Sequence, residues 1–176
     1  MDRWQLSFNM MTNIFLLVGG ITAFIIWYHK RLPIWLYTAV IFILAGLNKI
    51  FDFDNYIGNI LLYKYDGFIS FMHEAAPWLK LYKQPGFVVD FGFLVFGAMI
   101  VFFLYRHFHP HPSSNTLFIE GVCSFILVIV LGFILAVGRH SPQRVVFLQL
   151  LKDFFEVTGS AGFFLSFLTY YRGERR

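Results

Sequence analysis

The sequence predicts an all-α polytopic membrane protein: a helix bundle of five transmembrane helices, with an interfacial amphipathic segment between the second and third. Three observations predict it. Hydrophobic residues make up 58% of the chain, charged residues only 14%, and mean hydropathy is +0.65, whereas about a quarter of residues in soluble domains are charged. Aromatic residues reach 21%, with 24 Phe, a side chain suited to lipid-facing helix surfaces. Finally, five apolar runs approach the ~20 residues that a helix needs to cross the hydrocarbon core.

The first run covers residues 9–28 and closes at "YHKRLP", where His29, Lys30 and Arg31 mark a headgroup region and Pro33 restarts a helix. Only Arg3 precedes it as a cation, and no small-x-small cleavage site follows, so the expectation is a retained helix rather than a signal peptide. The second run covers 33–51. The third, 87–105, begins after "KQPG"; the fourth is 117–137; and the fifth, 145–171, is long enough to tilt. Between the second and third lies the segment 52–86, which mixes Tyr, Trp, Lys and Asp with Ile, Leu and Phe. Its apolar runs are under ~17 residues, which suits a helix or two lying in the interface plane. The whole chain, 1–176, reads as a single membrane domain without internal repeats.

Several function classes are excluded or disfavoured. A net charge of +4 and a pI near 9.3 do not point to nucleic acid, because the basic residues fall at segment ends as headgroup anchors. The lone cysteine, Cys123, excludes an internal disulfide and a CxxC site. Haem needs axial histidines inside helices, but the six here fall in loops or at helix ends. Phosphate-loop and NAD-binding motifs are absent, and no cofactor is named by the sequence. In "RHFHPHP", His107, His109 and His111 have metal-compatible spacing, yet Pro110 and Pro112 suggest a solvated basic loop. Ser160 in "TGSAGFF" lacks a histidine at matching depth to act as base, so this run reads as a small-residue packing face.

Short loops set orientation through their Lys and Arg. One side holds Lys30, Arg31, Arg106, Arg172, Arg175 and Arg176; the other holds Arg3, Lys64, Lys80, Lys83, Arg139 and Arg144, diluted by Asp2, Asp52, Asp54, Asp66 and Glu74. Concentration into short loops places the C-terminal tail in the cytoplasm.

Polar residues converge in one half of this bundle. Threading the helices back and forth brings Asn13, Asn48, Lys49, Asp52, Asp54, Asp90, Lys152, Asp153 and Glu156 to the same half of the membrane. On the fifth helix, Gln149, Lys152/Asp153, Glu156, Gly159/Ser160, Phe163 and Ser166 recur at three- and four-residue steps, forming one stripe. A charge at mid-helix costs ~2.5–3.5 kcal/mol on the insertion scale, while each Leu, Phe or Val returns ~0.3–0.6. Three charges offset nearly all that the apolar residues of this segment contribute, so it needs partner helices that accept the stripe. Helix one offers a matching stripe through Asn9, Asn13, Leu16, Gly20 and Ala23, whose small members allow close approach. A buried ion-pair network fixing helix register would account for the charges; so would a polar pocket, the default expectation for intramembrane ionisable groups.

"LNKIFDFDNYIG" and "LKDFFEVTG" resemble two patterns of a group of small, largely uncharacterised bacterial multi-spanning proteins. There, one helix ends in L-D-E-x-F-x-x-H-E-x-L-G and the last helix carries L-E-x-x-x-E-x-x-G. Leu47, Phe51 and Gly58 match the first; Leu151, Glu156 and Gly159 match the second. Asn48 and Lys49 replace the acidic pair, and Asp54 and Asn55 replace His-Glu, so the resemblance implies a bacterial inner-membrane location but no metal-binding activity.

The leading functional expectation is non-catalytic: an accessory subunit of a membrane complex, or a small-ligand binder, with a polar pocket in one half of the bilayer. Its partners would be the lipid bilayer and other membrane subunits or further copies of itself. An alternative is a membrane-embedded metal-dependent hydrolase acting on lipid through Asp52, Asp54, His73, Asp90, Asp153 and Glu156. A third, an ion or proton pathway, lacks polar residues in the other half, where Glu120 is nearly alone. Five spans put the termini on opposite faces with the Arg176 end cytoplasmic; paired reporter fusions at the two ends check this, and same-side signals reject an odd number of spans.

Overall fold

A computed structural model describes residues 3–51, 87–137 and 141–173. They form five helices and no strand: α1 (Arg3–Lys30), α2 (Pro33–Phe51), α3 (Phe87–Phe108), α4 (Pro112–Val137) and α5 (Pro142–Gly173). The segment 52–86, expected at the interface, lies outside the described residues.

Proline sets three of the helix starts. Pro33, Pro112 and Pro142 each open a helix, at the position where the missing N–H would be unpaired anyway and a φ near −65° is already helical. At the end of α1, Arg31 adopts a positive φ of 56°, the left-handed cap usually taken by glycine, and its N–H returns to the Trp27 carbonyl at 2.7 Å. Its guanidinium lies over the Tyr28 ring at 4.8 Å and the Trp27 ring at 5.4 Å, contacts that offset part of the backbone cost. α1 and α5 extend past their apolar runs at both ends, α3 at its C-terminal end and α4 at its N-terminal end, because intrahelical hydrogen bonding continues where hydropathy stops.

Small residues govern the packing. The most extensive contact is between α4 and α5, followed by α1 with α2 and α1 with α5; α3 touches only α2 and α4 extensively. On α5, Gly162 faces the Gly121 backbone so closely that an added Cβ would meet its N and Cα at 3.1 Å; at Gly159 it would meet the Phe125 ring at 2.6 Å. Gly20 of α1 receives Ile43 and the Ala39 carbonyl of α2, and Gly46 of α2 receives Leu17. In lipid, where apolar burial supplies little drive between helices, such close approach supplies the dispersion contacts that hold them. Hydroxyls near these seams bond within their own helices: Thr22 to the Val18 carbonyl and Thr38 to the Ile34 carbonyl, both at 2.8 Å, and Ser166 to the Phe163 carbonyl at 2.7 Å. An apolar solvent demands such internal pairing.

Of the five expected spans, two meet both the length and the hydropathy requirement: Trp4–Lys30 and Pro112–Leu135. The described apolar stretches of α2 and α3 are shorter, Pro33–Asn48 and Val95–Phe108, and Lys152, Asp153 and Glu156 interrupt α5. A soluble core helix would hide its apolar surface, yet only 17% of the Pro112–Leu135 window is buried, leaving Ile126, Ile129, Val130 and Phe133 exposed. Exposed Ile14, Ile21 and Phe24 on α1, and Phe96, Met99 and Phe102 on α3, extend the same apolar surface. The chain is an integral-membrane-like helical bundle.

Two glycines separate packing from helix propensity. Gly162→Val must push α4 and α5 apart, and overpacking of this kind costs ~1–3 kcal/mol. Gly132 has nothing within 4 Å of an added Cβ, so Gly132→Ala gains up to ~1 kcal/mol of helix propensity. Denaturant unfolding in detergent micelles followed by circular dichroism should move the midpoint down for the first and not down for the second.

Candidate functional site

The polar stripe of α5 turns inward. Asp153, Gly159, Ser160, Gly162, Phe163 and Ser166 are buried, while Gln149, Lys152 and Glu156 are half-buried. Asp153 is 6% exposed and accepts a hydrogen bond from Gln149 Nε2 to Oδ1 at 2.8 Å. That pair spans one helical turn, which is why the sequence places a carboxamide four residues before the carboxylate. Ser160 Oγ donates to the Glu156 and Val157 carbonyls, each at 2.9 Å. The small-residue run that follows is therefore a packing surface, with its serine hydroxyl turned back onto its own helix.

Contacts between helices set the level of the remaining groups. Gly19 of α1 sits against Phe42 and the Phe164 backbone, Gly46 of α2 against Leu17 and Leu16, and Phe42 against Phe163 with ring centroids 5.5 Å apart. Helices α1 and α5 consequently run parallel, with α2 antiparallel between the same levels. This register carries Asn13, Asn48 and Glu156 to one height, with Asp153 about one turn beyond Glu156. Thr12, 1% exposed, adjoins Asn13, and α4 contributes buried Ser124. Asn48, Asp153 and Glu156 all engage further neighbours. Asn13 differs: its Oδ1 is buried and, among the described residues, has no hydrogen-bond partner. The side chains of Lys49 and Asp90 lie outside the described ones, as do residues Asp52, Asp54 and His73 altogether. Among the described residues no three His, Cys, Asp or Glu side chains are grouped to hold a metal ion.

The opposite end of the bundle holds an arrangement that sequence reading missed. Trp35 is fully buried and stacks on Tyr170 at 5.2 Å, with Phe108 and Phe167 edge-on at 5.7 Å each. Phe108 continues to Phe118 of α4 at 4.8 Å. Two histidines expected in a solvated loop are half-buried on this cluster: His107 lies 6.5 Å from the Trp35 ring and His111 meets Tyr170 edge-on at 5.0 Å. Helix α3 runs through Phe108, so His107 is helical and the aromatic rings shield it. His109 is exposed. His29 Nε2 and the Tyr171 hydroxyl share a hydrogen bond at 3.3 Å, joining the ends of α1 and α5. The spacing of Phe163, Phe167 and Tyr170 along α5 was a readable signal for this cluster; the identity of the rings they would meet was not.

Concave space lies elsewhere again. A groove of about 300 Å³ runs between α3 and α4, lined by apolar side chains and Tyr105, away from the Asn13 level. Comparison with protein-family models, with curated proteins and with solved structures finds no match.

The Gln149–Asp153 bond gives a direct test of how the stripe is stabilised. Removing one partner of a buried charged hydrogen bond costs ~1.5–3 kcal/mol, whereas replacing both by apolar groups is nearly neutral. Gln149→Leu should lower the unfolding midpoint in detergent, and Gln149→Leu with Asp153→Leu should restore most of it. A double variant as unstable as the two singles combined would mean that Asp153 is held chiefly by its other neighbours.

Proposed function

We propose that this chain is a small, non-catalytic membrane protein whose five helices all cross the bilayer, and that the Asn13 level in one half of it receives a polar group from a partner subunit or a small ligand. The observation that carries this reading is the buried Oδ1 of Asn13, without a partner among the described residues, at the height of Asn48 and Glu156. A buried carbonyl oxygen without a donor costs ~1–3 kcal/mol, and a membrane offers no water to relieve it. An acceptor on α1 beside the carboxylates of α5 suits a donor-rich occupant, such as an amine, an amide or the hydroxyl of a neighbouring helix.

Several features support this over catalysis. The polar side chains at and next to this level are amides, hydroxyls, carboxylates and the amine of Lys152, a set suited to pairing with a polar occupant. α2 crosses because its apolar stretch, Pro33–Asn48, is continued by the rest of the helix through Phe51. α5, 32 residues long and so ~48 Å at 1.5 Å per residue, crosses as a tilted helix whose charges face α1 and α2. The concentration of Lys30, Arg31, Arg106 and Arg172 at the end bearing Trp35 supports, by the positive-inside rule, a cytoplasmic position for that end and the C-terminus. The bacterial inner membrane is the expected location.

Two measurements test the proposal. The protein should stay in the membrane fraction after alkaline carbonate extraction; release into the supernatant overturns the polytopic reading. Native purification in mild detergent should yield a co-purifying subunit or bound small molecule. Asn13→Leu and Glu156→Gln should each reduce its recovery at least about tenfold, the effect of losing ~1.4 kcal/mol, with the circular dichroism spectrum unchanged. Unchanged recovery in both variants, or nothing bound to the wild-type protein, rejects the occupied-level reading.

A further inference from the structure

The groove between α3 and α4 points to a second binding site, one for lipid. Its walls are Ala98, Val101 and Phe102 of α3 and Phe118, Ile119 and Val122 of α4. At about 300 Å³ it is at the lower end of ligand-sized clefts. It opens onto the surface where Phe96, Met99, Phe103 and Ile126 are exposed, so in a bilayer its mouth faces acyl chains rather than water. A polar occupant would find almost no hydrogen-bonding partner there; a hydrocarbon chain loses nothing.

The end of the groove nearest the Trp35 cluster changes character. Tyr105 closes the wall, and its ring meets exposed His109 edge-on at 5.7 Å. One turn beyond Phe102, the Arg106 guanidinium lies over the Phe102 ring at 5.7 Å. A cation is thus held at the mouth by a ring that itself lines the groove. Lys30, Arg31 and Arg172 share this end of the bundle, against the single exposed acid Glu120 among the described residues. Tyrosine and arginine at headgroup depth, above an apolar slot, match the layout of one phospholipid: tail below, phosphate above.

We infer that the α3–α4 groove binds one anionic phospholipid, with an acyl chain between Ala98, Phe102, Ile119 and Val122 and the phosphate on Arg106. The described anchors of α3 are Ile100, Leu104 and Phe108, and a bound chain in the groove adds contacts between α3 and α4. This inference rests on the chain lying in a bilayer, and not on the occupancy of the Asn13 level.

Detergent-purified protein incubated with equal amounts of dioleoyl phosphatidylglycerol and dioleoyl phosphatidylcholine, then analysed by native mass spectrometry, tests it. The wild-type protein should retain one phosphatidylglycerol at least about fivefold over phosphatidylcholine, the factor that one cation near an anionic headgroup supplies. Arg106→Gln should bring the ratio near one, and Arg106→Lys should preserve it. Ala98→Phe, filling the groove, should cut retention of both lipids, while Val130→Phe on the exposed surface of α4 should change neither. Equal retention by the wild-type protein, or an undiminished preference in Arg106→Gln, overturns the proposal. Arg106 is exposed, so its variants fold and decide the question even if Ala98→Phe does not. Carbonate extraction separately reports whether the chain spans the membrane, so failure of the lipid site and failure of the membrane reading give different results.

Discussion

Trp35 sits where four helices meet, and the packing of the bundle follows from how its indole is enclosed. Tyr170 and Phe167 of α5 cover one side of it and Phe108 of α3 another, with Phe108 passing the contact on to Phe118 of α4. Each aromatic pair contributes ~0.5–1.5 kcal/mol beyond its buried area, and pairs arranged edge-to-face also fix angles between helices. That matters for α3, whose described anchors, Ile100, Leu104 and Phe108, lie in its second half. The indole N–H is buried without a partner among the described residues, so the ring contacts outweigh an orphaned donor. The cluster lies at the basic end, beside His107, His111 and the His29–Tyr171 hydrogen bond.

From that end the glycine seams carry order along the bundle. Gly121 against Gly159 and Gly162, and Gly20 against Ala39 and Ile43, bring backbones within reach of one another. Their spacing then determines which polar groups share a height. Gly46 registers on Leu17 and Gly19 on Phe164, which carries Asn13, Asn48 and Glu156 to neighbouring levels. The α3–α4 groove lies where the packing of the bundle is sparsest.

Much of the fold was legible in the residues. Apolar length and Pro33 located the helices, because both act locally: hydropathy through the solvent around each segment and proline through its own φ; the starts at Pro112 and Pro142 came only with the structure. The inward stripe of α5 was legible from Gln149, Asp153 and Gly159 through their three- and four-residue spacing. The expectation for His107 and His111 went astray because Pro110 and Pro112 announced a loop, whereas Phe108, between the two histidines, buries itself and draws both rings onto the aromatic cluster. Of the site residues expected from sequence, Asn13, Asn48, Asp153 and Glu156 fall at neighbouring levels; Asp52, Asp54 and His73 lie outside the described residues.

The sequence by itself determined the apolar character of the chain, the number and approximate position of its described helices, and which face of α5 carries charge. All of these depend on composition and period, which are properties of one segment at a time. Tertiary structure alone decided that Trp35 would be enclosed by Phe108, Phe167 and Tyr170, that Gly121 would meet Gly159 and Gly162, and that Asn13 would keep an unpaired oxygen. Those outcomes depend on the rotation and register of one helix against another, and the chain can set neither until several glycines and rings are satisfied at once.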